Sequence, residues 1–298
     1  MKTAAETETE TGKVPQHSGK SAGPTFAVAF GGGGARGLAH IHIIETLDEL
    51  GIKPVAISGS SIGALMGAGM AAGLSGRYIH DYSRDVLAHP SEVASRMWRA
   101  RPGSFGEMVA GVGFTQFNVE RILQSFLPPE IPATFEELQI PLQVTATDFF
   151  AHSQMVLDKG ALLPALAASA AIPAVFRPIK HEGRTLVDGG ISNPVPFDLL
   201  ENRADIVIAI DVVGTPVATG GKLTSVDLML GANQIMMQSI IALKLQRSRP
   251  QIMLRPRVSR FRVLDFLKVE HVLSETVSVK DELKQAIDAA VERVEIND

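Results

Sequence analysis

Residues 54–68 read PVAISGSSIGALMGA. An apolar run leads into the pentapeptide at 59–63, which has the pattern Gly-x-Ser-x-Gly, and small apolar residues suited to a helix follow it. Between a strand and a helix, this pattern is typical of a nucleophile elbow, a sharp turn that strains the serine backbone and projects its hydroxyl above the sheet. The start of the helix also favours negative charge beside the serine. The stretch therefore predicts a strand–turn–helix unit, with Ser61 as the nucleophile of an acyl hydrolase or acyltransferase.

The sequence around this unit alternates patterns typical of strands and helices. Residues 25–30 form an apolar run before a series of glycines, and apolar residues then recur at helical spacing up to Gly51. Further strands are predicted at 142–148, 154–157, 185–187, 205–212 and 252–254, and further helices at 119–126, 161–171, 226–246 and 274–295. Alternation of this kind predicts an α/β fold, in which helices cover the faces of a parallel sheet.

Composition excludes several classes of function. Of the 298 residues, 45% are hydrophobic and 20% are charged, so a sizeable core is expected. The net charge is −4, and no long stretch interleaves basic and aromatic residues, so we expect no nucleic-acid partner. The absence of cysteine rules out disulfides, thiolate metal sites and a cysteine nucleophile. The histidines lack the spacing of metal ligands, and we expect neither a metal nor a cofactor.

The N-terminal residues differ in composition from the rest of the chain. Residues 1–24 are rich in Thr, Glu, Lys, Ser and Gly and lack the apolar core of a signal peptide. We expect a disordered tail at 1–24 and one folded domain at 25–298, since no linker divides the remainder. The uncharged stretch at 54–76 holds six glycines and four serines, which favour a strand–turn–helix over a membrane span. We expect a cytoplasmic location, with peripheral contact to the membrane left open.

A glycine run supplies the second candidate element. Gly31, Gly32, Gly33 and Gly34 follow the first predicted strand and precede a helix. Because glycine has no side chain, the backbone N–H groups of such a loop can approach a ligand closely, as in an oxyanion hole or a phosphate site. No Gly-Lys-Ser/Thr closes the run as in a phosphate-binding P-loop, and no acidic residue stands at the dinucleotide-binding spacing. Spacing leaves three roles open for Arg36: it contacts an anionic head group, it braces the loop, or it is an ordinary surface arginine.

The base that would accept the serine proton is less obvious. None of the eight histidines has surroundings that single it out. Asp188 follows the apolar strand at 185–187 and precedes Gly189 and Gly190, which places a carboxylate at a strand end. A carboxylate is a weak base for a hydroxyl, so Asp188 would need burial and close approach to Ser61. An ordinary Asp-Gly turn is the alternative.

Four motifs in order now point to a known family. The glycine run with Arg36, the elbow, the segment ASAAIP at 168–173 and Asp188-Gly189-Gly190 together resemble the motif set of patatin-like phospholipases, and the resemblance extends over residues 25–214. It implies a three-layer α/β/α sandwich with a mainly parallel central sheet. It also implies hydrolysis of acyl esters in phospholipids, lysophospholipids or simpler substrates.

The resemblance also implies a role for each motif. Ser61 and Asp188 would form a catalytic dyad without histidine. Gly32, Gly33 and Gly34 would form the oxyanion hole, and Arg36 is the basic, substrate-binding residue of that motif. Acyl transfer and a non-catalytic regulatory function that keeps the fold remain the alternatives.

Lipid substrates require an apolar pocket and a route from the membrane. Apolar residues gather between the elbow and the next predicted strand, and they are Met97, Trp98, Phe105, Met108, Val109, Val112, Phe114 and Phe117. Either they form a mobile lid that contacts bilayers, or they form packed cap helices. The apolar C-terminal helices make a homodimer a further open expectation.

Overall fold

The computed structural model describes residues 23–99, 117–218 and 223–297. The tail predicted at 1–24 therefore lies almost wholly outside the described residues, and its disorder stays a prediction. The lid hypothesis falls largely outside them as well, because it rests on the side chains of Trp98, Phe105, Met108, Val109, Val112 and Phe114.

Within these residues, eight strands form one sheet. They are β1 (Phe26–Phe30), β2 (Ala56–Ser60), β3 (Leu142–Asp148), β4 (Ser153–Leu157), β5 (Ile179–His181), β6 (Arg184–Asp188), β7 (Ile206–Ile210) and β8 (Ile252–Leu254). Their order is β5-β6-β3-β2-β1-β7-β8, and β4 also pairs with β3. Neighbours from β3 through β2, β1 and β7 to β8 are parallel, whereas β4, β5 and β6 pair antiparallel. The predicted mainly parallel sheet is confirmed.

Helices flank the sheet. They are α1 (His40–Glu49), α2 (Ile62–Ala71), α3 (Gly76–Leu87), α4 (Pro90–Arg99), α5 (Val119–Phe126), α6 (Leu162–Ser169), α7 (Ser225–Arg247), α8 (Val269–Thr276) and α9 (Val279–Asn297). α3 was not among the predicted helices, although Ser75 caps it by accepting a hydrogen bond from the Tyr78 N–H at 3.1 Å. The helix predicted at 274–295 is confirmed as α9 from Val279 onward, but its start is wrong, because residues 274–276 belong to the separate helix α8.

Alternate residues of β1 face two different core layers. Val28 and Phe30 belong to a large cluster that includes residues of α1, α2, α6, α8 and α9. Ala27 and Ala29 belong to a second cluster, in which Met237 of α7 also packs. Since successive side chains of a strand point to opposite faces, helices cover both faces of the sheet, and the three-layer α/β/α arrangement is confirmed.

The uncharged stretch around the elbow lies inside this core. α2 spans 10 residues, nearly all of them buried against the sheet. At 1.5 Å per residue it is about 15 Å long, which is too short to cross a bilayer. The strand–turn–helix interpretation of residues 54–76 is confirmed.

β2 and β6 lie end to end along one edge of β3. At Thr145 the two neighbours of β3 are β2 and β4, whereas at Ala146 they are β4 and β6. β2 runs parallel to β3 and β6 runs antiparallel, so their final residues approach each other. Ser60 pairs with Thr145 and Asp188 pairs with Ala146. Because Ser61 directly follows Ser60, this register brings Ser61 and Asp188 together.

Candidate active site

Ser61 stands at the sharp turn that the sequence predicts. Its φ of 53° and ψ of −126° lie in a region that residues with a side chain rarely adopt. The glycines two residues before and two residues after it stand where no larger residue would fit. A Cβ on Gly59 would lie 2.5 Å from Cα of Ala64, and one on Gly63 would lie 2.2 Å from the carbonyl oxygen of Phe30. The strand and the helix therefore pack closely on either side of Ser61, and the chain reverses direction sharply at this residue.

The Ser61 hydroxyl contacts the Asp188 carboxylate. Ser61 Oγ donates to Asp188 Oδ2 at 2.7 Å, and both residues are buried, with exposed fractions of 5% and 7%. The N–H of Gly190 donates to the other carboxylate oxygen, Oδ1, at 2.8 Å. This second contact holds the carboxylate in a fixed orientation with one oxygen directed at the serine.

Burial changes the acidity of Asp188. Removal from water raises the pKa of its carboxyl from 3.8 to about 6, while the hydrogen bonds from Ser61 and Gly190 act in the opposite direction. A base is most effective when its pKa lies near the working pH. Asp188 is therefore better suited to accept a proton than a solvated aspartate.

The glycine run passes directly beside Ser61. A Cβ on Gly32 would lie 3.3 Å from Cβ of Ser61. The Gly32 N–H donates to the carbonyl of Pro194 at 2.8 Å. Among the described residues, none accepts a hydrogen bond from the N–H groups of Gly33 and Gly34. These two amides are available for a ligand, whereas Gly32 contributes close approach.

Arg36 contacts the loop rather than solvent. Its side chain is only 2% exposed, and Nε donates to the carbonyl of Gly33 at 3.0 Å. Burial lowers the pKa of its guanidinium to about 10, and the nearby Asp211 carboxylate partly offsets this effect. Its burial excludes an ordinary surface arginine, and of the two roles that remain this contact favours the brace.

The same residues match a known family. A family model described as patatin-like phospholipase matches residues 28–201, which include the glycine loop, Ser61 and Asp188. The chain belongs to the patatin-like phospholipase family.

Individual relatives of this patatin-like chain are longer. An uncharacterized NTE family protein of Mycobacterium tuberculosis is 36% identical over 196 residues, which cover 65% of this chain and 51% of that protein. Lysophospholipase NTE1 of Kluyveromyces lactis is 27% identical over 278 residues, covering 84% of this chain and 18% of that protein. The solved structure of VipD from Legionella pneumophila is 14% identical with a TM-score of 0.48, covering 88% of this chain and 67% of that one. The chain thus spans about half the length of the mycobacterial relative.

Two further residues support the site, and neither was predicted from the sequence to do so. Ser169, within the third motif, accepts a hydrogen bond from the Ser61 N–H at 2.7 Å. His40 Nε2 bonds the carbonyl of Gly31 at 2.8 Å, and burial lowers the pKa of this imidazole to about 4. His40 is therefore a neutral donor beneath the glycine loop.

Among the described residues, no cluster of three or more His, Asp or Glu side chains is arranged to hold a metal.

An apolar cavity of about 380 Å³ opens beside Ser61. Leu38, Leu65, Met66, Val86, Phe126 and Phe176 are among the residues that line it. Met97 and Phe117, which the lid hypothesis includes, line it as well. Ligand pockets of this size and character hold small apolar molecules, and an acyl chain fits that description.

We predict that Gly63→Ala lowers the free energy of unfolding by about 1–3 kcal/mol or more, because the added Cβ would overlap the Phe30 carbonyl. Gly231→Ala in α7 is the matched control, since its Cβ would meet only Pro216 at 3.9 Å. Alanine there should be neutral or stabilising by up to ~1 kcal/mol. Urea denaturation of both variants measures the difference, and equal effects would contradict the tight crossing.

We predict that Asp188→Asn stabilises the protein at pH 8 and not below pH 4. Because the folded state raises the pKa of this carboxyl from 3.8 to about 6, its ionisation disfavours folding as the pH rises through that window. The full effect corresponds to about 3 kcal/mol. Unfolding free energies of wild type and variant across this pH range test the prediction. A constant difference between them would mean that Asp188 has an ordinary pKa.

Proposed function

We propose that this chain is a serine acyl-ester hydrolase that acts on phospholipids, lysophospholipids or simpler esters. The observation that carries the proposal is the 2.7 Å hydrogen bond from Ser61 Oγ to the buried Asp188 carboxylate. The adjoining apolar cavity supports a lipid acyl group as the part of the substrate that is bound. The name of the Kluyveromyces lactis relative, a lysophospholipase, supports the same substrate class.

In the proposed acylation step, Asp188 accepts the proton of Ser61 while Oγ attacks the ester carbonyl carbon. The carbonyl oxygen becomes negatively charged and lies against the free N–H groups of Gly33 and Gly34, assisted by the N-terminus of α2. The tetrahedral intermediate then expels the alcohol, which takes the proton from Asp188. These events leave an acyl group on Ser61 and a free lysolipid or alcohol.

In the proposed deacylation step, a water molecule replaces the alcohol. Asp188 accepts a proton from this water as its oxygen attacks the acyl carbon, and the proton then returns to Ser61 Oγ as the carboxylic acid leaves. One carboxylate thus serves as base and then as acid in both half-reactions. The orientation imposed by the Gly190 N–H keeps one carboxylate oxygen directed at the reaction throughout.

We predict that a fluorophosphonate probe labels wild type and that Ser61→Ala abolishes labelling. Asp188→Asn should lower kcat for ester hydrolysis by about 10²–10⁴-fold, the range expected for loss of a general base. Exposed Asp158→Asn is the matched control and should retain activity.

Three outcomes would contradict the proposal in different ways. Near wild-type activity in Asp188→Asn would exclude the dyad. Labelling without hydrolysis, together with product formation when glycerol or a lysophospholipid is supplied, would favour acyl transfer. Absence of labelling and of turnover on a broad ester panel would favour a non-catalytic protein.

We predict that Arg36→Lys lowers kcat about tenfold or more on a neutral short-chain ester and on an anionic phospholipid alike. The reason is that the lost contact to the Gly33 carbonyl loosens the loop that stabilises the oxyanion, a contribution usually worth more than tenfold. Exposed Arg257→Lys serves as the control. A loss confined to the phospholipid would instead assign Arg36 to the head group.

A further inference from the structure

The outer face of α7 carries an exposed apolar stripe. Leu228 and Ile235 are seven residues apart, and so are Met229, Met236 and Leu243 in succession. Four of these side chains are 57–61% exposed, and Met229 is 40% exposed. Residues 228–243 contain no charged side chain.

The inner face of α7 prevents the stripe from turning inward. Met237 and Ile241 pack in the second core layer, and Gln234 donates to the Val213 carbonyl at 2.8 Å. Lys244 donates to the Val195 carbonyl at 3.1 Å and contacts Asp198. These contacts fix the rotation of the helix, so the stripe faces away from the sheet in the folded protein.

The period of the stripe indicates a helical partner. A repeat of seven residues is the spacing at which two helices keep a continuous seam in contact. Ala232 and Ser239 lie between the larger side chains on the same face, and their small size allows a second helix to approach closely.

A lipid surface suits this helix less well. By length and composition Asp227–Arg247 could cross a membrane, and only 17% of its most apolar window is buried. However, helices that lie on membranes usually carry several basic residues and large aromatic residues at the interface. α7 has Lys244 and Arg247 alone as basic residues, contains no aromatic residue, and has its Lys244 turned to the protein interior.

The stripe is complementary to itself when the helices run antiparallel. Its midpoint lies between Ile235 and Met236, so a two-fold axis there places Leu228 against Leu243 of the second copy. The same axis places Ala232 against Ser239 of the second copy. The largest aliphatic residues thus meet each other, Ala232 meets Ser239, and Met229 lies against Ala242 of the second copy.

The charged residues of α7 lie near its ends, outside the apolar stripe. The N-terminal turn of α7 contains Asp227, and the C-terminal turn contains the exposed Arg247. Asp227 lies seven residues before Gln234, on the inner side of the helix, and its carboxylate accepts a hydrogen bond from the Thr224 hydroxyl at 2.7 Å and lies 3.9 Å from Arg262. Antiparallel pairing therefore joins the two helices through their apolar stripes. The two helix dipoles are then opposed, which is also favourable.

We propose that this protein is a homodimer in which α7 of one copy packs antiparallel against α7 of the second, about a two-fold axis at Ile235 and Met236. The proposal rests on the surface of α7 and does not depend on the proposed function.

The oligomeric state of the full chain tests the proposal. Sedimentation velocity should give wild type twice the chain mass of 31.8 kDa at micromolar concentration. Ile235→Glu/Met236→Glu should give the mass of a single chain, because it places four carboxylates at the centre of the interface. Ile296→Glu, at an 81% exposed position in α9, is the control and should remain dimeric. A single-chain mass for wild type, or a dimeric double variant, would overturn the proposal.

Cysteine crosslinking tests the direction of pairing, since the chain has no cysteine of its own. Met236→Cys should form a disulfide between copies upon mild oxidation. Leu228→Cys alone should not, whereas Leu228→Cys/Leu243→Cys should. Crosslinking by Leu228→Cys alone would show parallel pairing and overturn the antiparallel arrangement.

Sedimentation with anionic phospholipid vesicles separates the dimer from a membrane surface. The expected result is that Ile235→Glu/Met236→Glu binds vesicles as well as wild type does. A monomeric wild type that binds vesicles through α7, with binding lost in the double variant, would overturn the dimer. Far-ultraviolet circular dichroism and thermal unfolding confirm that each variant is folded.

Discussion

The meeting of two strand ends on one edge of β3 is the constraint on which the candidate site depends. β2 arrives parallel and ends at Ser60, while β6 arrives antiparallel and ends at Asp188, opposite neighbouring residues of β3. Backbone hydrogen bonds along a central strand leave little freedom in this register. The contact between Ser61 and Asp188 is therefore a consequence of strand pairing, which fixes the positions of both residues.

The site combines two features that are individually unfavourable. Ser61 has a strained backbone, and Asp188 carries a carboxyl group that burial makes harder to ionise. Surrounding contacts hold both in place. Ser169 accepts from the Ser61 N–H, Gly190 donates to the Asp188 carboxylate, and Thr147 donates to the Asp188 carbonyl at 2.9 Å. The two-sided core then supplies the stability that lets these features persist.

The two faces of the sheet are covered to different extents. Several helices bury the large core on one face of the sheet. On the other face, alanines of the strands pack against the segment at residues 195–200 and against the inner side of α7. The outer side of α7 consequently remains apolar and exposed, while Met237 on its inner side packs beside Gly190. Among the described residues, those that line the cavity beside Ser61 come from other elements. Substrate binding and self-association can therefore occupy separate surfaces.

Local sequence determined the elements with strong signals: the elbow at Ser61, the glycine loop, most strands and the alternation that defines an α/β fold. Those signals are short-range, because turn geometry and side-chain periodicity depend on neighbouring residues. The sequence also selected Asp188, but as a strand-end carboxylate whose role followed from family resemblance. Only the tertiary structure decided that Asp188 is buried against Ser61, that Ser169 holds the Ser61 amide, and that Gly32 donates to Pro194. It also decided that Arg36 turns to the loop and that α7 keeps an apolar face outward. These outcomes depend on contacts between residues far apart in the chain, which exist only once the strands have paired and the layers have packed.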